Sequence, residues 1–199
     1  MAKKILEYFT NSCYSIIRVG RKIVKGGRVI MAKGKGILDA RKLAGYIAYK
    51  YKEENNTEIS PIKLQKALYF LFAFWGGIIR KSKENPKYVE EDLSSQNEIL
   101  FDNAIEAWVY GPVVPDVYKE KDIEKYYSAG EDIFNNNTFL HETIDSILSD
   151  VFSIADFKLV SISHEDLCWQ KNFDPTEDFH NNEIDKEDII TEYAKRECI

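Results

Sequence analysis

Apolar positions along this chain change their period several times, and each change marks an element. Ala40, Leu43, Ala44, Ile47, Ala48 and Tyr51 fall at i, i+3, i+4, i+7, i+8 and i+11. That spacing predicts an amphipathic helix, capped by Asp39 and broken by the polar run at residues 53–57. Ser60-Pro61 is a second helix start, a hydroxyl cap followed by proline at the first helical position. After Lys66 this helix is apolar on every side, the pattern of a helix buried all round. Its uncharged stretch, residues 67–79, has 13 residues and contains Gly76-Gly77. A membrane span needs about 20 residues, so this reads as a central core helix.

Beyond it the pattern loosens. Residues 81–96 are charged and turn-rich, a surface loop. Residues 99–101 and 105–109 read as short strands or extended pieces around an Asp102-Asn103 turn, with Gly111-Pro112 closing the unit. Pro115 opens a short helix that reaches Tyr118. Residues 121–137 are acidic, then Asn-rich, and read as exposed. A long helix is expected from Thr143, with Ile144, Ile147, Leu148, Val151, Phe152 and Ala155 on its apolar face. Ser161-Ile-Ser-His164 and Trp169 follow, then a polar loop through Asn181-Asn182. Asp185 caps a last helix with Glu187 and Asp188 in its first turn and Lys195-Arg196 at its end, both favourable to the helix dipole. There is no internal repeat.

Composition supports a folded domain: hydrophobic residues are 44% and charged residues 30% of the 199 residues. The net charge of −6 conceals a split. Residues 1–36 carry nine Lys/Arg and one acid, a net +8, whereas residues 37–199 carry 18 bases and 32 acids, a net −14. An acidic body disfavours nucleic-acid binding, which needs clustered cations, and fits a partner with a basic surface. The basic head interleaves apolar and cationic positions, a pattern compatible with a membrane surface or folding on a partner. It lacks the uninterrupted apolar run of a signal peptide. The plainer expectation is a loose extension over residues 1–36, or translation from Met31, since Met31-Ala-Lys-Gly echoes Met1-Ala-Lys-Lys. Membrane contact by residues 1–30 is the less favoured reading and stays open here.

Candidate chemistry is sparse. Cys13, Cys168 and Cys198 are scattered and odd in number, which fits free thiols in a reducing compartment, the cytoplasm. His141, His164 and His180 form no metal-ligand spacing with cysteines or carboxylates, so no metal and no cofactor is expected. No glycine-rich phosphate loop is present. His164, followed by Glu165 and Asp166, is the tempting general base, yet no nucleophile motif accompanies it. A histidine hydrogen-bonded across the fold and covered by Trp169 is the favoured reading. Lys63 and Lys66 read as the solvated start of a buried helix; the rival reading pairs them with acids such as Glu106.

The densest segment is Glu106-Ala-Trp-Val-Tyr-Gly-Pro-Val-Val-Pro-Asp-Val-Tyr118. It reads as a packed turn fixing the 81–96 loop, or as a rigid aromatic surface for a partner, or as both. Trp and Tyr concentrate binding energy at interfaces, and a proline-braced backbone loses little entropy on association.

Three blocks resemble the Panacea domain family, also called SocA-like, a phage-associated domain of unknown function. Ser60-Pro-Ile-Lys-Leu-Gln-Lys-Ala-Leu-Tyr-Phe70 is similar to the family's K-L-Q-K-L-L-Y-Y helix. Residues 105–118 resemble its A-W-x-x-G-P-V-x-P-x-x-Y signature. Leu159-Val-Ser-Ile-Ser-His164 through Trp169, with Asn182-Glu-Ile184 and residues 189–193, resembles the L-S/T-H-x-x-x-P-W block and closing helix. Order and spacing agree over residues 38–195. Cys168 stands where the family usually has proline, and Lys171-Asn172 where it has Ala-Arg. The resemblance implies an antitoxin that binds a cognate toxin protein directly, without a cofactor. One branch of the family instead acts as an adaptor that holds a toxin for an ATP-dependent protease. An enzyme using His164 and Glu106 is the further alternative.

The expected fold is therefore mainly α, one compact helical domain over residues 37–199 with a central buried helix and a small β element. The expected signature or partner-binding residues are Lys63, Gln65 and Lys66 in the first block. The second contributes Glu106, Trp108, Tyr110, Gly111, Pro112, Val113, Pro115 and Tyr118, and the third His164 and Trp169.

Overall fold

A computed structural model describes residues 36–85, 93–176 and 182–196. The basic head with Met31 and Cys13, together with His180 and Cys198, lies outside the described residues. The chain is mainly helical with one small antiparallel hairpin, as the apolar periodicity predicts.

Helix α1 (Ala40–Asn55) starts where Asp39 accepts from the Arg41 and Lys42 amides, and stops where Asn56 turns left-handed at φ 53°. Helix α2 (Pro61–Glu84) starts at Ser60, whose hydroxyl accepts from the Lys63 amide. It does not end at Gly76-Gly77. A Cβ on Gly76 would lie 2.5 Å from Ile190, and one on Gly77 2.9 Å from the Tyr193 backbone. The two glycines are the flat seat on which the last helix, α7 (Lys186–Ala194), packs against α2. The loop expected from residue 81 therefore begins later, after Glu84.

The hairpin differs from the expected one. Strand β1 (Glu106–Trp108) pairs with β2 (Gly111–Val113), with Val109 and Tyr110 as the turn. Of the two readings of residues 99–101, strand or extended piece, the structure has the extended piece. These residues run beside the entry to α1, where Ile99 and Leu100 carbonyls accept from Ile37 and Leu38 amides at 3.1 and 2.8 Å. Leu100 and Phe101 point wholly into the core, so their apolar character reports burial rather than pairing.

Helix α3 (Pro115–Tyr118) opens at Pro115 as expected. A 3₁₀ turn at Glu124–Tyr126 and buried Ile133 and Phe134 show that residues 121–137 are only partly exposed. Helix α4 (Thr138–Ser153) begins before Thr143, because Asn137 caps it by accepting from the Leu140 amide. It ends before Ala155, and α5 (Asp156–Ser163) and α6 (Leu167–Asn172) follow as short separate helices. Helix α2 is the axis of the core and contacts α1, α4, α5, α7 and β2. By length and composition it could cross a membrane, but 94% of its most apolar window is buried by the rest of the fold.

A hairpin held by its backbone, the candidate docking site

The buried start of α2 faces the hairpin. Lys66 is 1% exposed, and its ammonium donates to the Pro112 carbonyl at 2.7 Å. Gln65, one residue earlier, accepts from the Val114 amide through Oε1 at 2.8 Å. These two side chains occupy the free edge of β2, where a further strand would otherwise pair. Edge closure on the other side comes from the chain before α7. The Ala107 amide donates to the Asn182 carbonyl, and the Ile184 amide to the Ile105 carbonyl.

The turn is gripped from a third direction. The Trp169 indole donates to the Trp108 carbonyl at 3.1 Å, and the His164 ring lies near the Val109 backbone, its Nε2 buried without a hydrogen-bond partner. His164 stacks on Trp169 at 3.9 Å and Trp169 on Phe173 at 4.7 Å, so a column of three parallel rings stands beneath the turn. Gly111 completes the corner at φ +87°, a conformation L side chains rarely adopt. A Cβ there would collide with Ser163 Oγ and lie 2.9 Å from Lys66 Nζ. A two-residue turn followed by a left-handed glycine is a common way to close a hairpin.

All of these grips are on main-chain atoms, which leaves the turn's side chains free to face outward. Val109, Tyr110 and Tyr118 are 44%, 57% and 54% exposed, and Phe157 on α5 is 67% exposed. Tyr110 meets Phe157 with ring centroids 6.4 Å apart, and half-buried Trp108 meets Tyr118 at 4.9 Å. Tyr118 also lines a groove of about 660 Å³ with Ile59, Leu64, Val117 and Ile123 at its apolar base.

The structure sorts the expected residues into three groups. Gln65, Lys66 and Trp169 are the backbone clamps, and His164 stacks on Trp169 beside them. Gly111, Pro112, Val113 and Pro115 are buried, so the prolines brace the hairpin from inside and do not belong to its exposed aromatic surface. Trp108, Tyr110 and Tyr118 face solvent wholly or in part. Two expectations are corrected. Lys63 and Lys66 are not solvated, since both are buried. Nor does either pair with Glu106, whose carboxylate accepts from the Trp108 indole at 2.8 Å. Lys63 instead bonds the Ile154 carbonyl and lies 3.3 Å from Asp156, fastening the end of α4 away from the hairpin.

A second buried cluster escaped the sequence reading. Asp166, fully buried, accepts from Tyr69, from Tyr193 at 2.9 Å and from Arg196 at 2.6 Å. Burial pushes its carboxyl up, against the pull of Arg196. Glu192 binds Arg196 and also accepts from the Leu167 and Cys168 amides at the start of α6. This network fixes α6, and with it Trp169, against α2 and α7. Arg196 reads in the sequence as a helix-end charge; nothing local marks it as the partner of a carboxylate 30 residues away.

Burial lowers the Lys66 amine to about 7, with Asp166 opposing. Burial, then the nearby Lys66, lowers the His164 imidazole. Burial raises the Cys168 thiol, which makes it a poor nucleophile. Glu106 is committed to the Trp108 indole, and no hydrogen bond joins it to His164. Among the described residues, no group of three or more His, Cys, Asp or Glu side chains is placed to hold a metal ion. Compared with known proteins, the chain matches no family model, no curated protein and no solved structure.

Proposed function

We propose that this chain is a cytoplasmic antitoxin that neutralises a cognate toxin protein by direct binding, with the hairpin turn as the docking surface. The observation that carries the reading is the exposed apolar side chains at a hairpin whose backbone is fixed from three sides: Val109 and Tyr110 in its turn, Tyr118 on α3 and Phe157 on α5. Aromatic side chains on a fixed backbone lose little entropy when they dock, and Trp and Tyr are the residues that dominate interface energetics. The resemblance to the Panacea family supports the same reading, because its three sequence blocks are the three segments that meet at this hairpin. The mechanism is occlusion: a specific contact of at least about 1,000 Å² covers the toxin's working surface, with no cofactor and no bond made or broken.

Co-expression with the product of the adjoining reading frame tests this. The expected result is that the product alone arrests growth, that the chain restores growth, and that the product's half-life is unchanged. A shortened half-life would favour the adaptor reading, in which the chain delivers the toxin to an ATP-dependent protease. A stable His164→Ala variant that still binds the product but no longer restores growth would overturn the occlusion reading in favour of a catalytic route through His164 and Glu106.

A further inference from the structure

The isolated bridge between Glu106 and Glu183 places two like charges at directly opposed backbone positions. The flanking bonds, Ala107 amide to Asn182 carbonyl and Ile184 amide to Ile105 carbonyl, define the pair as the non-hydrogen-bonded type. That is the closer of the two antiparallel pairings, with Cα atoms about 4.5 Å apart and side chains on one face. Like charges directly opposite destabilise a sheet. Glu183 is exposed and Glu106 half-buried. Among the described residues, Lys186 donates to the Asp102 carbonyl at 2.6 Å and Lys171 to Asp188 at 2.7 Å, and neither is bonded to Glu106 or Glu183.

The same face carries aromatic rings. Trp108, two residues beyond Glu106 on the strand, donates its indole N–H to the Glu106 carboxylate, and Tyr118 packs edge-on against Trp108. The Glu106 carboxylate beside an indole and a phenol, with Glu183 at the opposed strand position on the same face, forms a corner that fits a guanidinium. Carboxylates accept its fork of N–H donors, and an indole face attracts its charge. The charge of residues 37–199, net −14, favours a basic visitor over the same ground.

We propose that this corner receives an arginine side chain of the docking partner, set in an otherwise apolar segment that covers Tyr110 and Phe157. The inference rests on the reading of the hairpin as a docking surface, and it assigns that surface its polar anchor. Arginine gains registry from a contact that the apolar patch alone leaves unspecified.

The test uses the full chain and two synthetic peptides, acetyl-Leu-Arg-Leu-Leu-amide and the same peptide with glutamine for arginine, with the Trp108 indole N–H signal as the readout. The arginine peptide is expected to shift that signal saturably and to bind about three- to tenfold more tightly than the glutamine peptide. In the double variant E106Q/E183Q the preference disappears, while the melting temperature does not fall, because the introduced amide oxygen still accepts from the indole. Equal response to both peptides, no response to either, or a preference that survives in E106Q/E183Q overturns the proposal. A shift that depends on protein concentration without peptide assigns the corner to a second copy of the chain and also overturns it. The assay contains no toxin. An arginine preference with no binding of the adjoining-frame product would leave the corner standing and remove the antitoxin reading. Tight binding of that product with no arginine preference would do the reverse.

Discussion

Lys66 places an ammonium group where almost no solvent reaches, and the consequence is a stability that depends on pH. In the unfolded chain the amine titrates near its ordinary value of about 10.4; in the fold, burial lowers it to about 7. Between those values the unfolded chain binds the extra proton, so stability rises with pH. Below pH 7 the burial penalty is present in full, and above about 10 it is gone. The wild-type chain should gain about 2 kcal/mol more than a Lys66→Met variant between pH 7 and pH 9. Urea titrations at the two pH values measure the difference; equal gains in both proteins would show that Lys66 is not held as described. The residue also shows why side-chain type misleads. Lysine is rarely buried, so its spacing from Lys63 points to a solvated helix start. The carbonyl that holds it belongs to Pro112, 46 residues away.

At the scale of elements, the hairpin stands on its clamps rather than on its own strands. Each strand has three residues, and β2 contains a proline, so the pair lacks the length and ladder bonds that sustain an isolated hairpin. Gln65 is the clearest support. A Gln65→Ala change leaves the buried Val114 amide without its acceptor, at a cost of about 1–3 kcal/mol. Hydrogen exchange at Val114 should accelerate well beyond exchange in α4. Unchanged exchange there would mean that the hairpin holds itself. The same dependence explains which elements the sequence discloses. Helices α1, α2, α3 and α7 carry their starts locally, in Asp39, Ser60-Pro61, Pro115 and Asp185. Strand β2 carries no alternation, and its edge is closed by two side chains from α2. The start of α4 hides in an Asn-rich run because Asn135 and Asn136 adopt left-handed conformations, φ 52° and 58°, just before the Asn137 cap. The polar composition of that run reads as an exposed loop, although it builds the helix entry.

Across the whole molecule, one surface combines fixed backbone, exposed aromatic rings and closely opposed acids. The motif from Glu106 to Tyr118 is legible in the sequence as the informative segment, and its aromatic residues as surface candidates. The division of labour inside it is not, because whether a Pro or a Trp faces outward depends on where α2, α5 and α6 press. Phe157 joins the patch from another helix, and no local signal couples it to Tyr110. The buried ionic network around Asp166 is illegible for the same reason: its members come from α2, the turn before α6, and α7. The double variant Tyr110→Ala/Phe157→Ala removes the outward rings without touching a clamp. Calorimetric titration of the adjoining-frame product into wild type and this variant is the most direct measurement. The expected result is an affinity loss of about 100-fold with melting temperature within a few degrees of wild type. Wild-type affinity in the variant would contradict the docking role of the hairpin.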